Sequence, residues 1–158
     1  MTGITAILHT HNDELRIARG VESLRCCEEV LVIDHGSTDG TCEVAERFGA
    51  HVVAAKNASF STGDYIREAR HDWILDLRPT ESASETLEAA LLEWKFLDQA
   101  PEASFSVPIL EETAQGWLSV PAETRLVHRA YVQWKDWRPQ TSATPTALGG
   151  HLLRMRLP

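Results

Sequence analysis

Apolar and polar positions along this 158-residue chain change period several times. Residues 4–8 (Ile-Thr-Ala-Ile-Leu), 30–33 (Val-Leu-Val-Ile), 51–55 (His-Val-Val-Ala-Ala) and 73–77 (Trp-Ile-Leu-Asp-Leu) are short, nearly continuous apolar runs. Such runs read as strands, and the longer ones as strands buried on both faces of a parallel sheet. Between them the apolar residues recur at helical spacing. Leu15, Ala18 and Val21, with Ile17 and Leu24 beside them, make one stripe, and Cys42, Ala45 and Phe48, with Val44, make a second. Leu87, Leu91, Trp94 and Leu97, with Ala90, make the strongest.

Local stop and start signals sharpen these boundaries. Asn12, followed by Asp13 and Glu14, reads as the N-cap of a first helix running to about Arg25, which Gly20 weakens without breaking. The second helix covers residues 41–48 and closes on Gly49. Residues 56–64 are a polar loop, 65–70 a short helix, and Ser82-Ala83-Ser84-Glu85 is a capping box ahead of the third stripe. Three strands alternating with two helices define a βαβαβ unit, hence a parallel sheet with right-handed crossovers. After Ala100-Pro101 the helical period disappears. Residues 105–110, 124–128 and 131–134 read as strands, punctuated by Pro108, Gly116 and Pro121, that add antiparallel pairing at the sheet edge. Residues 139–158, rich in Thr, Ala, Pro and Gly, read mostly as loop. The expected fold is one α/β domain, a three-layer α/β/α sandwich around a mixed sheet.

Composition narrows the partners. With 43% hydrophobic and 24% charged residues the chain is an ordinary globular one. Its net charge of -8 argues against a nucleic-acid partner, although helix N-termini and single arginines still hold nucleotide phosphates. No apolar run approaches the roughly 18 residues of a membrane span, and Met1-Thr2-Gly3-Ile4 lacks the start of a signal peptide. Cys26, Cys27 and Cys42 form no disulfide framework, so a reduced, cytoplasmic setting is expected. For the Cys26-Cys27 pair, small buried residues are preferred over a metal or redox role.

Candidate chemistry gathers at strand ends. Asp34 closes an apolar strand and precedes the turn Gly36-Ser37-Thr38-Asp39-Gly40. A carboxylate there stands where open α/β sheets bind ligands, against the alternative that it caps the turn. Ser37, Thr38 and Asp39 read as turn and N-cap residues. Asp76 closes a later strand, with a surface pairing to Arg67 or Arg78 as the other reading. His9, His11 and His35 leave neighbouring strands; converging with Asp34 they form a transition-metal set, and otherwise they are polar loop residues.

Several of these stretches resemble family 2 glycosyltransferases of the GT-A fold, closely over residues 3–98 and more weakly over 105–135. Thr10-His11-Asn12 is similar to the family's T-x-N, and Asp34-His35-Gly36-Ser37-Thr38-Asp39-Gly40-Thr41 to D-D-G-S-T-D-G-T. Phe48-Gly49-Ala50 contains the G-A that precedes the next strand. Asp72-Trp73-Ile74-Leu75-Asp76-Leu77-Arg78-Pro79-Thr80-Glu81 resembles D-W-I-L-x-L-D-A-D-E, and Thr124 to Arg129 resembles x-R-L-F-R-R. The resemblance implies a nucleotide-binding half (1–98), a smaller acceptor-side half (99–138) and a tail. It implies a UDP-sugar type of nucleotide-diphospho-sugar donor, a glycan or lipid-linked acceptor, and a Mg or Mn ion. Thr10 then contacts the base, Asp34 accepts a hydrogen bond from base or ribose, and Asp76 serves the ribose and the metal.

The departures bear on activity. His35 replaces a second acid, Thr62-Gly63 stands where many members carry Arg-Asn, and Arg78 replaces the last acid of D-x-D. A guanidinium offers a metal no lone pair, and Asp76 alone supplies few of the oxygens such an ion needs. Arg78 is read either as drift after loss of the metal, the preferred account, or as a fixed charge standing in for it at the diphosphate and so belonging to the nucleotide site. Glu111 and Glu112 are the candidates for the acceptor base, set against a solvated acidic turn. Trp117, Trp134 and Trp137 stack on a sugar or pack in the core. Two functions follow: a divergent, inverting glycosyltransferase, or a non-catalytic nucleotide-sugar-binding or protein-interaction module. A purely architectural likeness ranks third. The short second half leaves room for an oligomer or a partner chain to supply missing groups.

Overall fold

The structure, a computed structural model, describes residues 1–156. β1 (Ile4–Thr10), α1 (Ile17–Glu22), β2 (Glu29–Asp34), α2 (Thr41–Arg47) and β3 (His51–Ala54) form the βαβαβ unit, with the strands parallel in the order β3-β2-β1. A 3-10 helix, Thr62–Glu68, then leads to β4 (Trp73–Leu77), which pairs with the free side of β1. Sheet growth reverses direction at this point. Right-handed crossovers therefore put the early helices on one face and the 3-10 connection on the other. Ile17, Val21 and Ala45 pack with Ala6, Leu8, Val32 and Leu75 on the first face, joined there by Leu87, Leu91 and Trp94 of α3 (Glu85–Trp94). Tyr65 and Ala69 cover Ile7, Leu31, Ile33 and Ile74 on the second. The fold is α/β and three-layered, with one outer layer built from a 3-10 helix and a hairpin instead of α-helices.

The second half extends the sheet. β5 is Glu81–Ala83, and β6 (Ser104–Thr113) and β7 (Gly116–His128) form a long hairpin. β7 runs antiparallel to β4 through the pairs Trp73↔His128 and Ile74↔Val127, as the loss of helical period suggested. β8 (Gln133–Lys135) and β9 (Arg138–Gln140) make a separate hairpin, and β10 (Thr146–Ala147) pairs with β6. β11 (Leu152–Arg154) lies between β6 and β5. Strand order is thus β3-β2-β1-β4-β7-β6-β11-β5.

Three local expectations are corrected. Asn12 adopts a positive φ of 52° and accepts a hydrogen bond from the Thr38 amide, so it opens no helix and α1 begins at Ile17. Ser84, not Ser82, caps α3: its hydroxyl accepts from the Leu87 and His151 amides, while Ser82 lies in β5. The tail contributes a buried strand, because Leu152 is fully enclosed. Gly150 makes this docking achievable: its φ is +84°, and a Cβ there would stand 2.2 Å from the Leu87 nitrogen.

One ion network ties these additions to the parallel core. Arg125, on β7, is fully buried and donates to both carboxylate oxygens of Glu81 at 2.7 and 2.9 Å. It also donates to Glu123 at 2.7 Å and to the Asp76 carbonyl at 3.0 Å. Arg154, on β11, reaches Glu81 at 3.0 Å and Glu123 at 3.1 Å. Burial alone would raise the Glu81 pKa, but the Arg125 charge and hydrogen bonds outweigh it and hold the acid below its usual range. Removing one partner strands an uncompensated buried charge. Arg125→Ala and Glu81→Ala should each lower the unfolding free energy by about 3–5 kcal/mol in urea titrations. Arg25→Ala, which breaks the exposed pair with Glu88, should leave the midpoint unchanged. Equal midpoints for all three variants would remove the network from its structural role.

Candidate functional site

Where the sheet reverses direction, the C-terminal ends of β1 and β4 open into a cleft of about 710 Å³. β1 supplies His9, Thr10 and His11; Asp76, Leu77 and Arg78 come from the end of β4, followed by Pro79 and Thr80. The 58–60 loop forms one wall, and the turn Asp136-Trp137 between β8 and β9 forms the other. That turn is set by Asp136, whose φ is +58°, and by its carbonyl, which accepts from the Thr62 amide at 3.1 Å. Gly63 follows from the same contact, because a Cβ there would lie 3.2 Å from Trp134. Gly63, one of the two residues at which this segment departs from the resembled pattern, thus eases the close approach of the hairpin to the 3-10 helix.

A line of polar groups crosses the floor. His35 Nε2 lies 2.9 Å from His9 Nδ1, His9 Nε2 lies 3.1 Å from Thr62 Oγ1, and the Thr62 hydroxyl donates to Asp76 at 3.4 Å. With Thr62 donating to Asp76, His9 Nε2–H donates to Thr62 and His9 Nδ1 accepts from His35. Burial is the main force pushing the His9 pKa down, to about 4, with His35 adding to it and Asp64 opposing. His35 is likewise lowered, chiefly by burial. Burial pushes Asp76 up to about 8, with Arg125 partly offsetting this and Glu81 adding to it. Its second oxygen, Oδ2, is buried with no hydrogen-bond partner among the described residues.

Thr10 and Asp34 sit at adjacent strand ends, paired in register. The Thr10 hydroxyl donates to Asp13 at 2.7 Å while the residue lines the cleft. Asp34 accepts from the Ser37 amide and hydroxyl, so it does cap its turn, and it also lines an adjoining cavity of about 530 Å³ with His35, Gly36 and Asn57. The two cavities share His11, Ala58 and Phe60. Phe60 is stacked on His35, with ring centroids 4.0 Å apart and planes inclined by 18°.

Arg78 borders the cleft with its guanidinium 3.9 Å from the Trp137 ring. It stands 3.5 Å from Glu123, and its amide donates to Glu81. Arg67, the other surface partner considered for Asp76, lies on the 3-10 helix; Asp76 itself is enclosed. Glu111 and Glu112 are not brought to the cleft. Glu111 is paired with Arg154 across the β6–β11 ladder, and Glu112 accepts from the Arg156 amide beside Trp117 in a separate cavity of about 470 Å³. Trp134 packs against the second core, leaving Trp137 as the tryptophan of the cleft. Phe60, Thr62 and Asp136 were not singled out as site residues from the sequence. An apolar Phe60 in an otherwise polar loop was the one available signal.

The residues present do not fit a divalent cation. Asp76 is the single acid of the degenerate motif, its raised pKa keeps it protonated near neutrality, and Arg78 puts a cation where a second ligand would stand. Among the described residues no group of three or more His, Cys, Asp or Glu side chains is arranged to hold a metal, so the three histidines are not a metal set. His11 instead hydrogen-bonds the His35 carbonyl. Cys26 is buried and Cys27 and Cys42 half-buried, all as free thiols. Among the described residues no helix is long and apolar enough to cross a membrane.

No protein-family model matches the chain. An uncharacterized glycosyltransferase of Rickettsia felis is 34% identical over 91 residues, covering 56% of this chain and 32% of its own length. Glycosyltransferase AglJ of Haloferax volcanii is 45% identical over 67 residues, covering 41% and 22%. The chain spans about a third or less of the length of these curated relatives. Among solved structures, S. aureus TarS matches with a TM-score of 0.56 at 19% identity, covering 82% of this chain and 29% of that one. Glucosyl-3-phosphoglycerate synthase from Mycobacterium tuberculosis, in complex with Mn2+, uridine diphosphate and glucosyl-3-phosphoglycerate, matches at 0.51 and 18%, covering 70% and 43%. Over about half of its length the chain is thus similar to proteins named glycosyltransferases, and it has the GT-A fold.

His9 also makes stability depend on pH. Between about pH 6.5 and pH 4 an unfolded His9 takes up a proton that the native residue refuses, so native stability falls as pH drops through that window. His9→Asn should flatten this part of the urea-midpoint profile, with the remaining slope set by His35 and the carboxylates. Parallel profiles for the two proteins would contradict it.

Proposed function

We propose that this chain binds a nucleotide-diphospho-sugar of the UDP-sugar type in the cleft between β1 and β4, as the donor site of a glycosyltransferase acting on a glycan or lipid-linked acceptor. The observation carrying this reading is the convergence at one strand-end crevice of Thr10, Asp76 and Arg78, with Asp34 lining the adjoining cavity. An enclosed Asp76 oxygen without a partner suits a ligand hydroxyl, and Asp34 suits a base or ribose donor. Trp137 offers the apolar face that a sugar or base needs. The names of the relatives, and the uridine diphosphate bound to the M. tuberculosis enzyme, support the same class of ligand.

For transfer, a carboxylate must lie within reach of the acceptor hydroxyl. Of the acids considered, Glu111 and Glu112 are engaged outside the cleft, so the role falls to the exposed Asp136 at its rim. The lone Asp76 in the metal motif favours a second reading, a module that binds the nucleotide sugar without turning it over. Isothermal titration with UDP and UDP-sugars tests the binding they share, and donor hydrolysis or transfer separates them. The chain should bind UDP, and Asp34→Asn, by removing one charge-assisted hydrogen bond, should weaken it about tenfold. Absence of binding at millimolar nucleotide would sink both readings.

A further inference from the structure

We propose that Arg78 takes the place of the divalent cation, so that the cleft holds the diphosphate of its nucleotide without metal. The inference rests on the donor-site reading above. Neutral drift would leave Arg78 as an ordinary solvated side chain. Instead its guanidinium lies on Trp137 at 3.9 Å and its side chain is only 32% exposed. A planar cation stacked on an aromatic ring keeps its plane and its fork of donors fixed, which is what bidentate recognition of phosphate oxygens requires.

The neighbouring charges leave this cation the least engaged. Arg125 and Arg154 make short contacts with Glu81 and Glu123, at 2.7 to 3.1 Å. Arg78 has a single carboxylate contact, to the other oxygen of Glu123 at 3.5 Å, and its Nε is buried without a partner among the described residues. Arg125 and Arg154 thus occupy the acids that would otherwise neutralise Arg78. The guanidiniums of Arg138 and Arg125 also lie near the same ring, 5.1 and 5.9 Å from its centroid. The unpartnered Nε of Arg78 and Oδ2 of Asp76 belong to residues lining one cleft. They match a ligand that carries both phosphate oxygens and a hydroxyl, as a nucleoside diphosphate does.

Titration calorimetry with UDP, in EDTA and in Mn2+, decides the matter on the whole chain, with uridine and pyrophosphate as separate probes. UDP affinity should agree within about twofold between EDTA and Mn2+. Arg78→Gln, whose planar amide still rests on Trp137, should weaken UDP and pyrophosphate about tenfold or more and leave uridine unchanged. Arg78→Lys should recover part of the loss, and Arg78→Asp should make any remaining UDP binding depend on Mn2+. Mn2+-dependent UDP binding by the wild-type chain, or an Arg78→Gln variant that binds UDP normally, would overturn the inference and leave the donor site standing. Failure of the wild-type chain to bind UDP in either condition would overturn both.

Discussion

The pairing of Arg125 with Glu81 is the constraint on which the rest of the structure depends. A guanidinium with no exposed surface is tolerable only where acceptors surround it, and here the acceptors of its two terminal nitrogens come from three separate segments. Glu81 belongs to the short strand after the cleft, Glu123 to the same strand as Arg125, and the Asp76 carbonyl to the end of the parallel core. Meeting that demand draws β5, β7 and β11 together around the mouth of β4. The cleft is bounded on one side by the residues this network holds in place.

The same network shapes the electrostatics of the cleft. A chain of net charge -8 would repel an anionic ligand if its acids were spread evenly over the site. Instead, Glu81 and Glu123 are matched by Arg125 and Arg154, burial keeps the Asp76 carboxyl protonated near neutrality, and His9 is held neutral. Arg78 is left as the cation at the surface of the cleft. Its guanidinium is held there by the stack on Trp137.

The departures from the family pattern also support one another. His35 replaces an acid and packs between His9 and Phe60; Thr62 replaces an arginine and completes the hydrogen-bonded line from His9 to Asp76. Gly63 permits Trp134, and hence the hairpin bearing Trp137, to approach the 3-10 helix. Each substitution considered alone reads as loss of a function. Together they form a packed, hydrogen-bonded surface.

By itself the sequence determined the parallel centre of the sheet, the Asp34 turn and the family likeness. Continuous apolar runs, glycine turns and motif spacing are local signals, and β1, β2, β4, α2 and α3 follow them closely. Only the tertiary structure decided the partners of Arg125, since Glu81 stands 44 residues away and nothing local marks a buried arginine. It also decided that Leu152–Arg154 completes the sheet, since three residues carry no readable period, and that Glu111 and Glu112 turn away from the cleft. Phe60, Thr62, Asp136 and Trp137 meet at the site because the reversal of sheet direction and the two-residue hairpin turn bring separate loops to the same strand ends. The Arg78–Trp137 stack is of this kind: the sequence supplied both residues, and long-range packing put one on the other.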